Sequence, residues 1–249
     1  MSIEFKNAIA PSPEQWMCAI LGARNAMNSW GRSDTIICGV SKCNDCKLWN
    51  IESDALEGTC LEENGFYIGQ NDHDLLMRLC MAGESHRKFM RMLPVYATVT
   101  APLYWFKEFD TYKVGVTTNS CSTMHKIHAK ELTLEDFSCE HLDLDNFILL
   151  KEVIARLNRY RDIYINGGIV EYPDGGRKVF KPKDKDIWWQ MIQLLPSSYN
   201  QKRTIMLNYE VLANMYKSRK NHKLDEWIEF CKWIKTLPYS ELITGEFDV

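Results

Sequence analysis

The sequence has no apolar run approaching the ~18 residues of a membrane-crossing helix, so a bilayer-spanning role is not expected. Its opening, MSIEFKNAIAPSPEQW, lacks the basic start and apolar core of a secretory leader. It has no Gly-rich phosphate loop, no Gly-x-Ser-x-Gly elbow, no internal repeat and no low-complexity tract. An excess of positive charge is missing too. The 30 Lys and Arg face 33 Asp and Glu, for a net charge of −3. That balance argues against a general nucleic-acid binder working by phosphate neutralisation.

What remains is the mixture of an ordinary globular protein. The chain has 249 residues, 45% hydrophobic and 25% charged, which suits one large domain or two small ones. We read 1–249 as one domain. Nine cysteines is an odd count. With no leader in view, they read as reduced thiols in a cytoplasmic protein.

Apolar residues recur at helical spacing. Phe147, Leu150, Ile154, Leu157 and Tyr164 line a helix starting near Asp145. Ile205, Tyr209, Leu212 and Tyr216 line a second. Leu224, Trp227, Cys231 and Ile234 line a third, which Pro238 stops. Shorter helices are expected over Pro13–Met27, Asp74–Met81 and Ile187–Leu195. The stretch LPVYATVTAP, residues 93–102, is β-branched and alternating and predicts a strand, with a second over Val114–Thr118. Residues 166–185 carry two Gly-Gly pairs around a β-branched run and read as a hairpin-like insertion. Long helices with few strands predict an α+β fold.

Four cysteines fall within residues 38–60. Cys43 and Cys46 have the spacing that lets two thiolates reach one metal, and Cys38 and Cys60 could complete a tetrahedral zinc site. The other reading is a loop of reduced thiols. Further along, Asn119, Ser120, Cys121, Ser122 and Thr123 form a row of small polar groups. They follow the aromatic segment PLYWFKEFDTYK and precede an expected helix start at Thr133, with Asp136 three residues on. The row therefore reads as a connection between ordered elements, where hydroxyls, an amide and backbone N–H groups can hold a phosphate or a base edge. Lys113, Lys126, His125 and His128 add charge, and a hydrogen-bonded turn is the alternative. Cys121 served by His125 or His128 is a nucleophile reading set against an inert thiol. His86 with Arg87, Lys88 and Arg91 is an anion site or a solvated face. His222 and Asp225 read as a surface pair.

This arrangement resembles the flavin-dependent thymidylate synthases. Their signature is an arginine-histidine-arginine triplet followed by Ser-x-Asn-x-x-Ser-x-Arg-Tyr. Thr117–His125 lies over its second half, with Asn119 and Ser122 matching. "AGESHRKF", residues 82–89 and including His86 and Arg87, is similar to an upstream turn of the family, and Arg24 to an arginine of an early helix. Leu195, Pro196, Asn208, Leu212 and Arg219 fall in step with the family's later motifs. The resemblance covers roughly residues 70–237, with the cysteine loop and the 166–185 insertion outside it. It implies helices around a small antiparallel sheet, a homotetramer, and FAD and dUMP bound where subunits meet.

The departures fall on charge. The flavin triplet is Tyr112-Lys113-Val114 here, the phosphate arginine is Met124, and the pyrimidine arginine is Glu210. A reversed charge beside a phosphate replaces attraction with repulsion. The resemblance thus implies Lys113, Asn119, Ser122, Asn208, Glu210 and Arg219 around a nucleotide-like ligand, with Arg24, His86, Arg87, Tyr112 and His125 in secondary places. Three readings follow. One is a nucleotide-binding protein without flavin chemistry, such as a phage or prophage sponge for a nucleotide signal. The second is a flavin-dependent methyl- or hydroxymethyltransferase acting on a dUMP-type nucleotide, with FAD as cofactor. The third is a structural protein with a vestigial pocket.

Overall fold

The computed structural model describes residues 3–37 and 66–246. Two long strands organise it. β4 (Pro94–Pro102) and β8 (Asn200–Asn208) pair antiparallel over nine residues, from Pro94↔Asn208 to Pro102↔Asn200. β1 (Glu4–Ile9) flanks β4, and β5 (Thr117–Ser120) flanks β8, giving the order β1-β4-β8-β5. Side chains alternate across this sheet. Val95, Ala97, Val99 and Ala101 of β4 and Ile205 and Leu207 of β8 are buried on one face. Thr98 and Thr204 meet on the other, hydroxyl to hydroxyl at 3.3 Å.

Helices cover the apolar face. Between β1 and β4 lie α1 (Pro13–Asn25), a two-residue strand pair, β2 (Ile36–Ile37) with β3 (Phe66–Tyr67), and α2 (Gln70–Met81). Ser12 starts α1 with a reciprocal capping box to Gln15. α3 (Leu103–Phe109) follows β4 directly and buries Trp105, Phe106 and Phe109. α7 (Tyr209–Arg219), α8 (Asp225–Lys235) and α9 (Glu241–Thr244) close the chain. Trp105 packs against Trp227 of α8 at 4.9 Å between ring centroids, and Trp16 meets Tyr209 edge-on at 5.3 Å.

A second core lies beyond β5. α4 (Thr123–Lys126) leads to α5 (Leu144–Asn166), whose Leu150, Ile154 and Leu157 pack with Ile127, Leu132, Phe137 and Met191. The hairpin β6 (Gly168–Glu171) and β7 (Arg177–Phe180) then leads into α6 (Lys185–Leu194). Val170, Phe180 and Ile187 form a third small cluster with Ile163 of α5. The stretch 166–185 contains this hairpin.

Three local expectations are corrected. Ile205 belongs to β8 and not to the following helix, because its spacing to Tyr209 spans a strand-to-helix junction. Thr133 and Asp136 do form a capping box, but around a single 3-10 turn, and the long helix starts at Leu144 behind Asp143. The second strand runs from Thr117 to Ser120, so Asn119 is a strand residue and not part of a connection. Cys38, Cys43, Cys46 and Cys60 lie outside the described residues. Among the described residues no group of three or more His, Cys, Asp or Glu side chains could hold a metal ion, and no helix is long and apolar enough to cross a membrane.

One buried carboxylate ties the first helices together. Asp72 of α2 is fully buried. Its Oδ1 accepts from Arg24 Nε at 2.7 Å. Its Oδ2 accepts from Ser33 Oγ at 2.7 Å, Thr35 Oγ1 at 2.7 Å, Thr35 N at 3.0 Å and Asp34 N at 3.1 Å. Asp34 in turn caps α2 from outside by accepting from the backbone of Asn71 and Asp72. A Cβ on Gly69 would stand 2.2 Å from the Asp34 side chain, so only glycine lets this cap approach. Burial alone would raise the Asp72 carboxyl, but the donors from Thr35, Ser33 and Arg24 outweigh it and hold the carboxyl below its ordinary value.

A folded value lower than the unfolded one adds stability above the unfolded value and loses it as pH falls through the folded one. Asp72→Asn should therefore cost about 3–5 kcal/mol at pH 7, because it leaves Arg24 buried without its anion. Urea titrations of wild type and variant should show that gap narrowing below about pH 4. A gap that stays constant into acid would contradict this account.

Candidate functional site

Among the described residues β5 is an edge strand, paired with β8: Thr117↔Met206, Thr118↔Ile205, Asn119↔Thr204 and Ser120↔Arg203. All four of its residues are exposed. Directly paired residues share a face. Thr117 and Asn119 therefore stand on the polar face with Thr204 and Thr98, while Ser120 turns to the side of Arg203. Ser122 N-caps α4, its Oγ accepting from His125 N at 3.2 Å. His125 itself is exposed. The His128 ring packs on Tyr164 at 4.9 Å, and among the described residues neither histidine hydrogen-bonds to Cys121.

β8 and α6 pin this polar stretch. Gln201 Nε2 donates to Cys121 O at 3.1 Å and Thr123 Oγ1 at 3.0 Å. Its Oε1 accepts from Arg203 Nε at 2.9 Å. The Arg203 guanidinium lies 3.9 Å over the Phe106 ring and pairs with Asp110 at 2.6 Å. Trp188 Nε1 of α6 donates to Met124 O at 2.8 Å. Sequence reading missed Gln201 and Arg203. Their signal was two polar residues at core-facing positions of a strand that alternates apolar further on.

The other candidates gather on α7. Asn208 caps it, Oδ1 accepting from Val211 N at 3.0 Å. The turn after α3 leans on this cap: a Cβ on Gly115, whose φ is +76°, would lie 2.9 Å from Val211 Cγ2 and 3.0 Å from Asn208 Nδ2. Glu210, expected to face a donor on a ligand, is buried and ion-paired with Arg87 Nε at 2.8 Å. Arg87 also donates to Asn214 Oδ1 at 2.8 Å. His86 beside it is exposed.

Arg219, expected to grip an anion, already holds one. Its Nη1 donates to Glu108 Oε2 at 2.6 Å and its Nε to Tyr112 Oη at 2.9 Å, while the guanidinium lies 4.7 Å over Trp227. Glu108, another residue missed in the sequence, also accepts from Trp227 Nε1 at 2.9 Å. His222 Nδ1 accepts from Leu224 N at 3.1 Å, and its Nε2 lies 3.4 Å from Glu108. The expected pair of His222 with Asp225 does not form, since Asp225 bonds His141. Lys113 is exposed, and among the described residues its ammonium has no partner.

Within one chain these residues are spread over β5, β8 and α7. Asn208 and Arg219 bracket α7, roughly 16 Å apart along its axis. Asn119 lies opposite Thr204, about 13 Å along β8 from Asn208. A cleft of about 820 Å³ between α1 and α2 is lined by Arg24 and none of the other candidates. Arg24 itself serves the Asp72 network.

Two solved structures of flavin-dependent thymidylate synthase ThyX from Helicobacter pylori, both with FAD and dUMP, match this architecture. For one, 99% of this chain covers 98% of the other at a TM-score of 0.58 and 14% identity. For the second, 99% covers 97% at 0.56 and 14% identity. The fold is that of the flavin-dependent thymidylate synthases. No protein-family model and no curated protein matches the sequence.

Tyr112, Lys113 and Val114, which the resemblance sets at the flavin triplet, do not fit a cationic cradle for that cofactor. Tyr112 is bonded to Arg219, Val114 is 90% exposed, and Lys113 alone brings a positive charge. Glu210 is neutralised inside the chain. Glu210→Ala should therefore lower stability by about 3–5 kcal/mol by stranding the Arg87 charge. Glu210→Arg should cost at least as much, and Arg87→Glu combined with Glu210→Arg should recover most of the loss. Urea denaturation of the three variants checks the cycle, and a Glu210→Arg protein as stable as wild type would refute the pairing role.

Proposed function

We propose that this protein binds a nucleotide on its thymidylate synthase-like scaffold without the family's flavin chemistry, and that copies of the chain, as a tetramer, complete the pocket. The observation that carries the reading is the open polar face at β5, where Asn119, Thr117 and Thr204 present an amide and two hydroxyls at an exposed sheet edge. Asn119 keeps the signature position, and the full-length likeness to proteins holding FAD and dUMP supports a nucleotide as the ligand class. A second copy has a place in this reading because Arg219 is taken up by Glu108 and Tyr112 of its own chain, which leaves the polar face at β5 open on one side.

Lys113 takes the anion in this reading, since Arg219 is neutralised by Glu108. Asn119 and the threonine hydroxyls take the base or sugar. The loss of the cationic flavin cradle separates this protein from a flavin-dependent transferase. A binder of this kind sequesters its nucleotide, the role expected of a phage or prophage sponge.

Mass spectrometry of small molecules released from the purified protein, followed by calorimetry with a nucleotide panel, tests the proposal. A bound nucleotide without flavin is expected. Asn119→Ala should weaken binding by about 0.5–1.5 kcal/mol. Lys113→Ala should weaken it roughly twice as much, with a reduced salt dependence, because its hydrogen bond carries charge. Both residues are exposed, so the fold should be unchanged. A yellow protein that releases flavin, or a wild type that binds no nucleotide, would overturn the reading.

A further inference from the structure

The hairpin β6–β7 and helices α5 and α6 enclose a pocket of about 260 Å³ that shares no residue with the β5 region. Its floor is apolar: Val170, Phe180 and Ile187 are all buried. Tyr172 and Trp189 stand beside it, 45% and 39% exposed. Two charges mark the edge. Lys178 Nζ lies 4.7 Å over the Phe180 ring and donates to Asp186 Oδ2 at 2.9 Å. Among the described residues Asp186 Oδ1 has no partner.

Size and surface set the ligand's shape. Drug-sized pockets span about 300–1,000 Å³, so this one takes a single small ring system. Exposed aromatic walls over an apolar floor suit a flat one. The edge sets its chemistry. An ammonium next to a carboxylate asks for a carbonyl oxygen adjacent to N–H donors. Guanine has that order, with O6 to accept from Lys178 and N1–H and the 2-amino group to donate to Asp186. Adenine has no carbonyl, and uracil offers one N–H between two carbonyls. The Lys178–Asp186 pair need not break, since each partner keeps hydrogen-bonding capacity beyond the bond they share. Both side chains are more than half exposed, so the pair is weak and free to turn toward a ligand.

We propose that this pocket binds the base of free guanosine or a guanosine nucleotide, as a ligand site separate from the one proposed at β5 and independent of it. Calorimetry of the full chain with guanosine, inosine and adenosine tests the assignment, and nucleosides keep any phosphate contact at Lys113 out of the measurement. Guanosine should bind. Inosine, lacking the 2-amino group, should bind roughly tenfold more weakly, and adenosine more weakly still. Asp186→Asn should lower guanosine affinity about tenfold, and Trp189→Ala should lower it as well. Circular dichroism and urea midpoints confirm that each variant folds, and Asp186→Asn alone carries the test if Trp189→Ala does not. Three results would overturn the proposal: no guanosine binding to wild type, adenosine binding as tightly, or guanosine affinity left unchanged by Asp186→Asn.

Discussion

The nine-residue ladder between β4 and β8 is the constraint on which the rest depends. Its register decides which face every neighbouring side chain meets. With Val99 opposite Arg203 and Ala97 opposite Ile205, the apolar residues line the face that α3, α7 and α8 cover. A slip of one residue would turn Lys202, Thr204 and Met206 toward that core, so the register is strongly specified. Prolines at both ends of β4, which lack an N–H for the ladder, bound the strand. β8 passes into α7 without a loop, so the same ladder sets where Asn208 caps the helix. β5 reads its own register from β8, so the ladder also sets where Asn119 stands.

Charge inside the chain is arranged in matched pairs. Arg24 meets Asp72, Arg87 meets Glu210, Arg203 meets Asp110 and Arg219 meets Glu108. Removing one member of a buried pair costs more than the pair contributes, because the remaining charge is left without water or partner. Each carboxylate therefore keeps its arginine from being available to an outside anion. This matters for a fold in which arginines are expected to hold nucleotide and flavin. Arg24, Arg87 and Arg219 read as anion ligands from their positions in the sequence, yet all three are ion-paired within the chain. Lys113, like Lys126 and Lys202, is left as an exposed cation near the polar strand.

The periodic parts of the fold were legible. The 3.6-residue pattern located α5 and α8, and alternation located β4, because a long amphipathic element repeats its signal many times. The Gly-Gly pairs marked the hairpin. Short elements and junctions were not legible, since four residues of β5 carry one alternation at most. Ile205 sits at helical distance from Tyr209 and still belongs to a strand, because one apolar spacing serves both periods where β8 turns into α7. The site was legible in identity and not in role. Asn119, Ser122 and Asn208 were found by motif, but two of the three proved to be helix caps, whose hydrogen bonds are local. Glu108 was invisible, because pairing across distant segments leaves no spacing to read, and Gln201 and Arg203 were missed although they interrupt the apolar alternation of β8.

α6 is the element through which the two proposed sites can act on each other. Trp189 on this helix borders the hairpin pocket, and its neighbour Trp188 donates its indole N–H to Met124 O just beyond β5. The two indoles touch edge-on, 4.8 Å apart. Met124 follows Thr123, which Gln201 holds to β8. A ligand that moves α6 therefore moves the anchor of the polar stretch, whereas one that stacks on Trp189 without moving the helix leaves that anchor in place. Coupling of binding between sites is reciprocal, and it requires an element with two arrangements that both ligands bias. The hydrogen bond from Trp188 to Met124 is the contact that would differ between two such arrangements, so the helix, and not the sheet, is where communication between the sites would be built.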